Sequence, residues 1–271
     1  MTMSTERKVI FYLLLIISAI LLAGPAIVAI MISFMTNQDI LTGSLPTTLT
    51  FENYIAAFER FPLLKYLFNS FVVSIVITIG QLLLSSLAAY AFVFLEFKGR
   101  DFLFYLFIAT MMVPFEASVI PNFHIIRDLG WIDSYAGLTV PFFATTFGTF
   151  LLRQHFRQIP KELREASQIA GMSDFRFYLS VILPVSRTSL VTLGIYGFLT
   201  SWNMYLWPLL TTTNDTVRTV QIGLKQLQTQ EQLNEWGVMM AGAVTVIIPT
   251  LILLFLGQKK LKMGLTEGAV K

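Results

Sequence analysis

The chain contains no cysteine, which excludes disulfides, a thiolate nucleophile and any thiolate metal site. Histidine is nearly as scarce: only two occur. His124 and His155 stand far from each other without carboxylates at metal-ligand spacing, so they read as polar interface residues rather than as a metal centre. No GxxxxGK[ST] loop is present to cradle phosphates. No Ser/His/Asp arrangement or His/Asp/Glu cluster converges, which leaves a membrane-embedded enzyme as a weak alternative. Charged residues make up only 13% of the chain. Gly/Ser linkers, low-complexity runs and internal repeats are also missing, so residues 1–271 read as a single domain.

Apolar sequence fills the space these absences leave. At 55% hydrophobic residues and a mean hydropathy of +0.69, the chain is too apolar for an ordinary soluble domain and reads as a polytopic, all-α membrane protein. Six apolar runs, 9–35, 66–95, 102–120, 134–152, 190–210 and 238–257, each reach the length of about 20 helical residues that crosses a hydrocarbon core. The first is too long for a signal-peptide core and reads as a retained helix. The fourth holds Gly137, Pro141, Gly148 and several threonines, a composition that predicts packing inside a bundle. Met111, Met112 and the 24 phenylalanines read as packing surface, not as a cofactor box.

Lys and Arg are retained preferentially on the cytoplasmic side, and they set the orientation. With the N-terminus inside, the inner segments hold Arg7, Lys8, Lys98, Arg100, Arg153, Arg157, Lys161, Arg164, Arg176, Arg187, Lys259, Lys260, Lys262 and Lys271. The outer ones hold Arg60, Lys65, Arg127, Arg218 and Lys225. Both termini are therefore expected in the cytoplasm. The net charge of +3 reports this topology and implies no nucleic-acid partner, because no basic patch exists apart from the membrane-flanking loops.

Between the fourth and fifth runs lies PKELREASQIAGMSDFRFYLSVILP, residues 160–184. Pro160 suits a first helical turn, Gly171 suits a left-handed C-cap and Ser173 suits the N-cap of a second helix. Ala166 and Ala170 lie four apart on one face, with Arg164 and Glu165 beside them, small enough for another backbone to approach. An amphipathic helix resting on lipid headgroups would share the basic face, but it needs no fixed Gly and Pro positions.

The spacing of Glu165, Ala166, Ser167, Gly171, Val181, Leu183 and Pro184 resembles the EAA motif of permease subunits in bacterial ABC importers. Ser167 stands where the family has Ala and Val181 where it has Ile, both conservative in size. WNMYLWPLL (202–210) and the ending GLTEGAVK (264–271) extend the resemblance to the sugar and glycerol-phosphate permeases. It implies six transmembrane helices, the type I importer permease fold and a cytoplasmic coupling-helix hairpin, in a bacterial inner membrane. It further implies a second, homologous permease chain, two ATPase subunits that bind the ATP and Mg, and an extracytoplasmic solute-binding protein. This chain itself would carry no cofactor, and membrane lipid would surround it. In similar permeases the tail reaches between the ATPase subunits, which makes Gly264, Leu265, Thr266, Gly268 and Lys271 ATPase-contacting candidates, although Glu267 interrupts the small, uncharged pattern.

Trp202, Asn203 and Tyr205 put polar atoms near membrane depth, where an unsatisfied amide is costly. They read either as pathway-facing side chains or, for Asn203, as a bond to a neighbouring backbone carbonyl. Pro208 is expected to break this helix near the outer face. Glu116, between Pro114 and Pro121, reads as an interface carboxylate, and Asn69, Gln81, Ser85 and Ser86 as interhelical ties. The outer stretches 36–65 and 211–237 read as a surface-lying structural loop and as a Thr- and Gln-rich segment reaching toward an external partner. An autonomous secondary transporter would place coupling carboxylates or histidines within its spans, often with internal repeats, and neither is evident. The resemblance implies a carbohydrate-class solute: sugar, oligosaccharide or sn-glycerol-3-phosphate. The apolar runs carry no Lys or Arg, so a cation for an anionic solute would come from the partner permease or the binding protein.

Overall fold

A computed structural model describes residues 5–230 and 235–266, and every regular element among them is helical. In order these are α1 (Thr5–Ser33), α2 (Asn37–Thr42), α3 (Glu52–Arg60), α4 (Leu63–Phe94), α5 (Arg100–Ala109), α6 (Phe115–Asp128), α7 (Tyr135–Thr139) and α8 (Thr146–Phe156). There follow α9 (Lys161–Ile169), α10 (Asp174–Phe177), α11 (Leu183–Val185), α12 (Arg187–Trp202), α13 (Leu206–Thr211), α14 (Val220–Gln230) and α15 (Trp236–Thr266). The described residues of Met1–Lys65 and Gly223–Ile248 form one compact unit, and those of Tyr66–Ile222 and Pro249–Lys271 a second.

Three expected spans are unbroken: Ile10–Ser33, Leu63–Phe94 and Trp236–Gln258. The other three are bent pairs: Arg100–Met112 with Phe115–Asp128 at 99°, Tyr135–Phe142 with Thr146–Phe156 at 43°, and Asp174–Val185 with Arg187–Trp202 at 78°. The run 102–120 is thus not one straight helix. Pro114 removes a backbone donor and pushes Val113 into extended backbone (ψ 114°), so α6 starts afresh behind it. The break in 190–210 also falls earlier than expected. α12 ends at Trp202, and Pro208 sits in the first turn of α13, where its missing N–H is harmless. A helix continued from α12 would drive the Pro208 ring against the carbonyl of Met204.

In the first unit, Asn53 closes the end of α1. Its side-chain amide donates to the Ser33 and Met35 carbonyls at 3.0 and 2.8 Å, satisfying two groups that a helix end leaves open. A Cβ on Gly237 would lie 2.5 Å from the Asn53 amide, so any larger residue there would displace the side chain that closes α1. Stretch 36–65 is structural, as expected, at its Asp39 turn: the buried carboxylate accepts from the Thr47 N–H at 3.2 Å and from the Thr47 and Ser44 hydroxyls. Ala57, Phe61, Leu227 and Val238 form the unit's small core.

α4 is the spine of the second unit. Val73 and Ile77 pack with Ile126, Leu138, Trp207 and Val217 toward one end, and Ala89 and Tyr90 pack with Leu152, Phe156, Phe177, Tyr178 and Ile182 toward the other. The polar residues of α4 tie it to its neighbours. Asn69 donates to the Thr216 and Arg218 carbonyls, Gln81 to Phe142 at 3.1 Å, and Ser86 shares a 2.7 Å bond with the Tyr178 hydroxyl. Ser85 instead marks a close crossing, 2.6 Å from where a Cβ on Gly148 would lie. α7 and α8 bury Gly137, Leu138, Thr139, Gly148, Thr149 and Leu152, the internal packing their composition predicts.

Candidate functional site

Residues 160–184 form the predicted pair of helices, with two differences: Pro160, expected in the first turn, stands just before α9 (φ −57°, ψ 135°), and the second helix is a short α10 that passes into a π turn. At the other end Gly171, at φ 68°, donates to the Gln168 carbonyl at 3.0 Å, and Met172 donates to Ser167 at 2.9 Å. This pair of bonds is the Schellman termination, which requires a left-handed residue at Gly171. Ser173 then accepts from the Arg176 N–H at 3.4 Å, and Asp174 lies in the first turn of α10, where a carboxylate suits the positive helix end.

Beyond α10 the chain forms a π turn over Tyr178–Ile182 and bends at Ser186. Pro184 gives the reason. It cannot donate to the Ser180 carbonyl, and a wider i→i+5 winding relieves the clash of its ring with that carbonyl. The hairpin is thereby redirected into α12, whose first residue is Arg187.

Three side chains root the hairpin. Phe177, Tyr178 and Ile182 are buried against Ala89, Tyr90, Leu152 and Phe156, with the Phe94 and Phe177 rings edge to face at 5.6 Å. The Tyr90 hydroxyl donates to the Asp174 carbonyl at 2.9 Å. Arg164 clasps α9 to α10 through an ion pair with Asp174 while lying over the Phe177 ring at 5.0 Å. Ser167 is buried, and its hydroxyl donates to the Arg164 carbonyl at 2.7 Å, which explains how this polar residue is accommodated.

The outer surface carries Glu165, Ala166 and Ala170, all exposed. Two apolar residues not singled out from the sequence join them: Ile169, 89% exposed, and Phe175, 65% exposed. The signal for Ile169 was present, since it follows Glu165 by four residues and Ala166 by three, on the same face. Large apolar side chains held out at the tip of a rooted polar element form an exposed patch of the kind that meets a protein or a membrane surface.

The second group of candidates divides. Trp202 is buried and stacks on Phe198 with centroids 5.7 Å apart. Asn203 is exposed, and its amide donates to the Leu199 carbonyl at 2.8 Å, closing the end of α12. Tyr205 is exposed in the break before α13. Of the tail candidates, Gly264, Leu265 and Thr266 end α15, while Gly268 and Lys271 lie outside the described residues. Glu116 sits exposed in the first turn of α6, and His124 and His155 are apart on α6 and α8.

Stretch 211–219 is tied down at the other end of this unit. Asp133, at φ 56°, accepts from the Thr213 and Asn214 N–H groups at 2.6 and 3.3 Å and from the Thr213 hydroxyl. Arg218 pairs with Asp215, which also accepts from the Tyr66 hydroxyl at 2.7 Å. Partial burial raises the Asp133 pKa, but these hydrogen bonds and the charge of Arg218 outweigh it and hold the carboxyl below its ordinary 3.8. A lowered folded pKa contributes stability above the ordinary value that is lost as pH falls through the lowered one. Asp133→Ala is expected to speed amide hydrogen exchange at Thr213 and Asn214 roughly fivefold at neutral pH, about 1 kcal/mol for the lost bonds. The difference from the unsubstituted protein should shrink as pH drops below 3.8, and equal exchange at pH 7 would show the tie to be idle.

Comparison with known proteins places this geometry. Residues 81–261 match the family described as binding-protein-dependent transport system inner membrane component. The sn-glycerol-3-phosphate transport system permease protein UgpE of Agrobacterium fabrum is 38% identical over 271 residues, 96% of each chain. The protein of the same name from Escherichia coli O1:K1 is 38% identical over 208 residues, 76% of this chain and 74% of its own. Among solved structures, a chain of a bacterial ABC transporter involved in import of the acidic polysaccharide alginate superposes with a TM-score of 0.87. It is 22% identical, with 96% of this chain and 99% of that one covered.

Proposed function

Because this chain belongs to the binding-protein-dependent transport system inner membrane components, a family of importer permeases, we propose that it forms half of an alternating-access pathway driven by ATPase subunits docked on the α9–α10 hairpin. The observation that carries the reading is the hairpin itself: rooted by Phe177 and Ile182 and tipped by exposed Ile169 and Phe175. Held in a cleft of an ATPase subunit, such an element converts nucleotide-driven closure into rigid-body motion of the helices it joins. ATP and Mg belong to two such subunits, a second permease chain completes the pathway, and an extracytoplasmic binding protein delivers the solute. The Lys and Arg distribution supports placing hairpin and termini in the cytoplasm. Exposed Asn203 and Tyr205, with Trp202 behind them, face the pathway in this reading. The tail from Gly264 reaches the ATPase pair, and residues 1–271 act as one permease domain.

The relatives named for sn-glycerol-3-phosphate favour a small phosphorylated polyol over a neutral oligosaccharide. The test is copurification on a tag borne by this chain, followed by ATP hydrolysis with candidate binding proteins and solutes. Recovery of an ATPase pair and a second permease, stimulated by a binding protein loaded with glycerol phosphate, is the expected result. Ile169→Asp should lower ATPase recovery at least tenfold, since burying the isoleucine is worth about 2 kcal/mol and a buried carboxylate costs more. A lone chain that moves solute in liposomes would instead make it a secondary transporter.

A further inference from the structure

At the hairpin end of the second unit, cations crowd around the turn between α4 and α5. Arg153, near the end of α8, has a side chain only 10% exposed. Its guanidinium lies 3.6 Å over the Phe104 ring. Its Nη2 approaches Asp101 at 3.8 Å, and the same carboxylate oxygen lies 3.9 Å from Nε of Arg100. Both distances are long, and Asp101 is 68% exposed, so one hydrated carboxylate is shared by two guanidinium groups. Arg157, the residue that caps the end of α8, stands four residues beyond Arg153, close enough to repel it. Nε of Arg153 has no hydrogen-bond partner among the described residues.

We propose that this place binds the phosphate of an anionic membrane phospholipid. Lys98, Arg100, Arg153 and Arg157 outnumber the carboxylates Glu96 and Asp101 in this turn and helix end. A depression of about 380 Å³ lined by Glu96, Phe97, Gly99, Arg100, Asp101 and Phe102 opens beside them. The depression itself presents Arg100, whose Nη1 also donates to the Leu95 carbonyl at 3.2 Å, beside Glu96 and Asp101; an oxyanion at its rim gives Arg100 a further acceptor and draws on the charge of Lys98, Arg153 and Arg157 around it. The apolar neighbourhood selects a lipid over free phosphate, because Phe102, Leu103, Tyr105 and Leu106 of α5 are all exposed directly beyond the cations. That face accepts acyl chains while the guanidinium groups hold the headgroup, the arrangement by which basic pockets beside transmembrane helices retain anionic lipids. The inference rests on membrane residence and is independent of ATPase docking.

The test uses the assembled transporter in mild detergent, offered equal phosphatidylglycerol and phosphatidylcholine, with native mass spectrometry counting the lipid retained on this chain. Preferential retention of phosphatidylglycerol is expected, falling about fivefold for Arg100→Gln or Arg157→Gln and roughly thirtyfold for both. Arg127→Gln, which removes a charge at the far end of α6, should change nothing. These variants spare buried Arg153, and exposed Arg157 gives a readout that does not disturb the 3.2 Å bond from Arg100 to the Leu95 carbonyl. Three results would overturn the proposal: unchanged retention in the double variant, displacement of the lipid by millimolar inorganic phosphate alone, or protection of Arg157 from chemical labelling by the ATPase subunits instead of by lipid.

Discussion

Gly171→Val is expected to leave the chain inserted and assembled at normal levels while cutting ATP-driven transport about tenfold. The argument is confined to the backbone. A Cβ at this position would meet nothing within 4 Å, so no clash is introduced. The whole cost arises from holding a β-branched residue at φ 68°, which is about 1–2 kcal/mol or more. That strain acts on the two bonds that end α9, Gly171 to Gln168 and Met172 to Ser167. Releasing them lets α9 run on past Ala170 and swings α10, with Phe175, away from the face that carries Glu165 and Ile169. A shift of about 1.4 kcal/mol in the population of the docking geometry is tenfold in coupling. Gly171→Asn separates this account from a simple need for a small residue, because asparagine tolerates the left-handed region and should restore most of the transport. If Asn is as damaging as Val, conformation is not the reason for the glycine. Glu165→Ala should reduce coupling without touching stability, since its side chain is exposed.

Punctuation made the hairpin legible in the sequence. Pro160, Gly171, Ser173 and Pro184 each impose a local geometry that hardly depends on distant contacts, and each does in the structure what its chemistry dictates. The unbroken spans were legible for a similar reason: length and hydropathy suffice for Ile10–Ser33, Leu63–Phe94 and Trp236–Gln258. The bent spans were harder. Hydropathy does not register direction, so the run 102–120 looked continuous across Pro114 although the chain turns by 99° there. Pro208 misled in the opposite sense, because a proline marks a break without saying whether it ends one helix or begins the next. Ile169 and Phe175 escaped notice because exposure is a property of the packed chain: nothing local distinguishes exposed Phe175 from buried Phe177 two residues on. For Asn203, both readings open in the sequence concerned the same amide, and its bond to Leu199 depends on the turn after Trp202.

Phe177→Ala should produce the opposite phenotype to Gly171→Val, an unstable protein rather than an uncoupled one. Phe177 is fully buried and stands where three elements meet. Its ring faces Phe94 at 5.6 Å and Tyr90 at 6.5 Å and carries the Arg164 guanidinium at 5.0 Å. Truncation leaves a cavity between α4 and α10 and removes the surface that holds Arg164 against Asp174. Buried Phe→Ala changes cost about 3–5 kcal/mol, and the lost cation–π contact adds roughly 0.5–1 kcal/mol. For a chain of this size that corresponds to a midpoint lower by roughly 10 °C, readable as loss of monodisperse protein from detergent on heating. Phe177→Leu should recover about half of this, because it refills much of the cavity without restoring the ring. The Leu variant also separates two roles of the same side chain. If stability returns while ATPase coupling stays low, the ring acts through Arg164 to set the angle of α9. If both return together, Phe177 serves only as the root on which the hairpin stands.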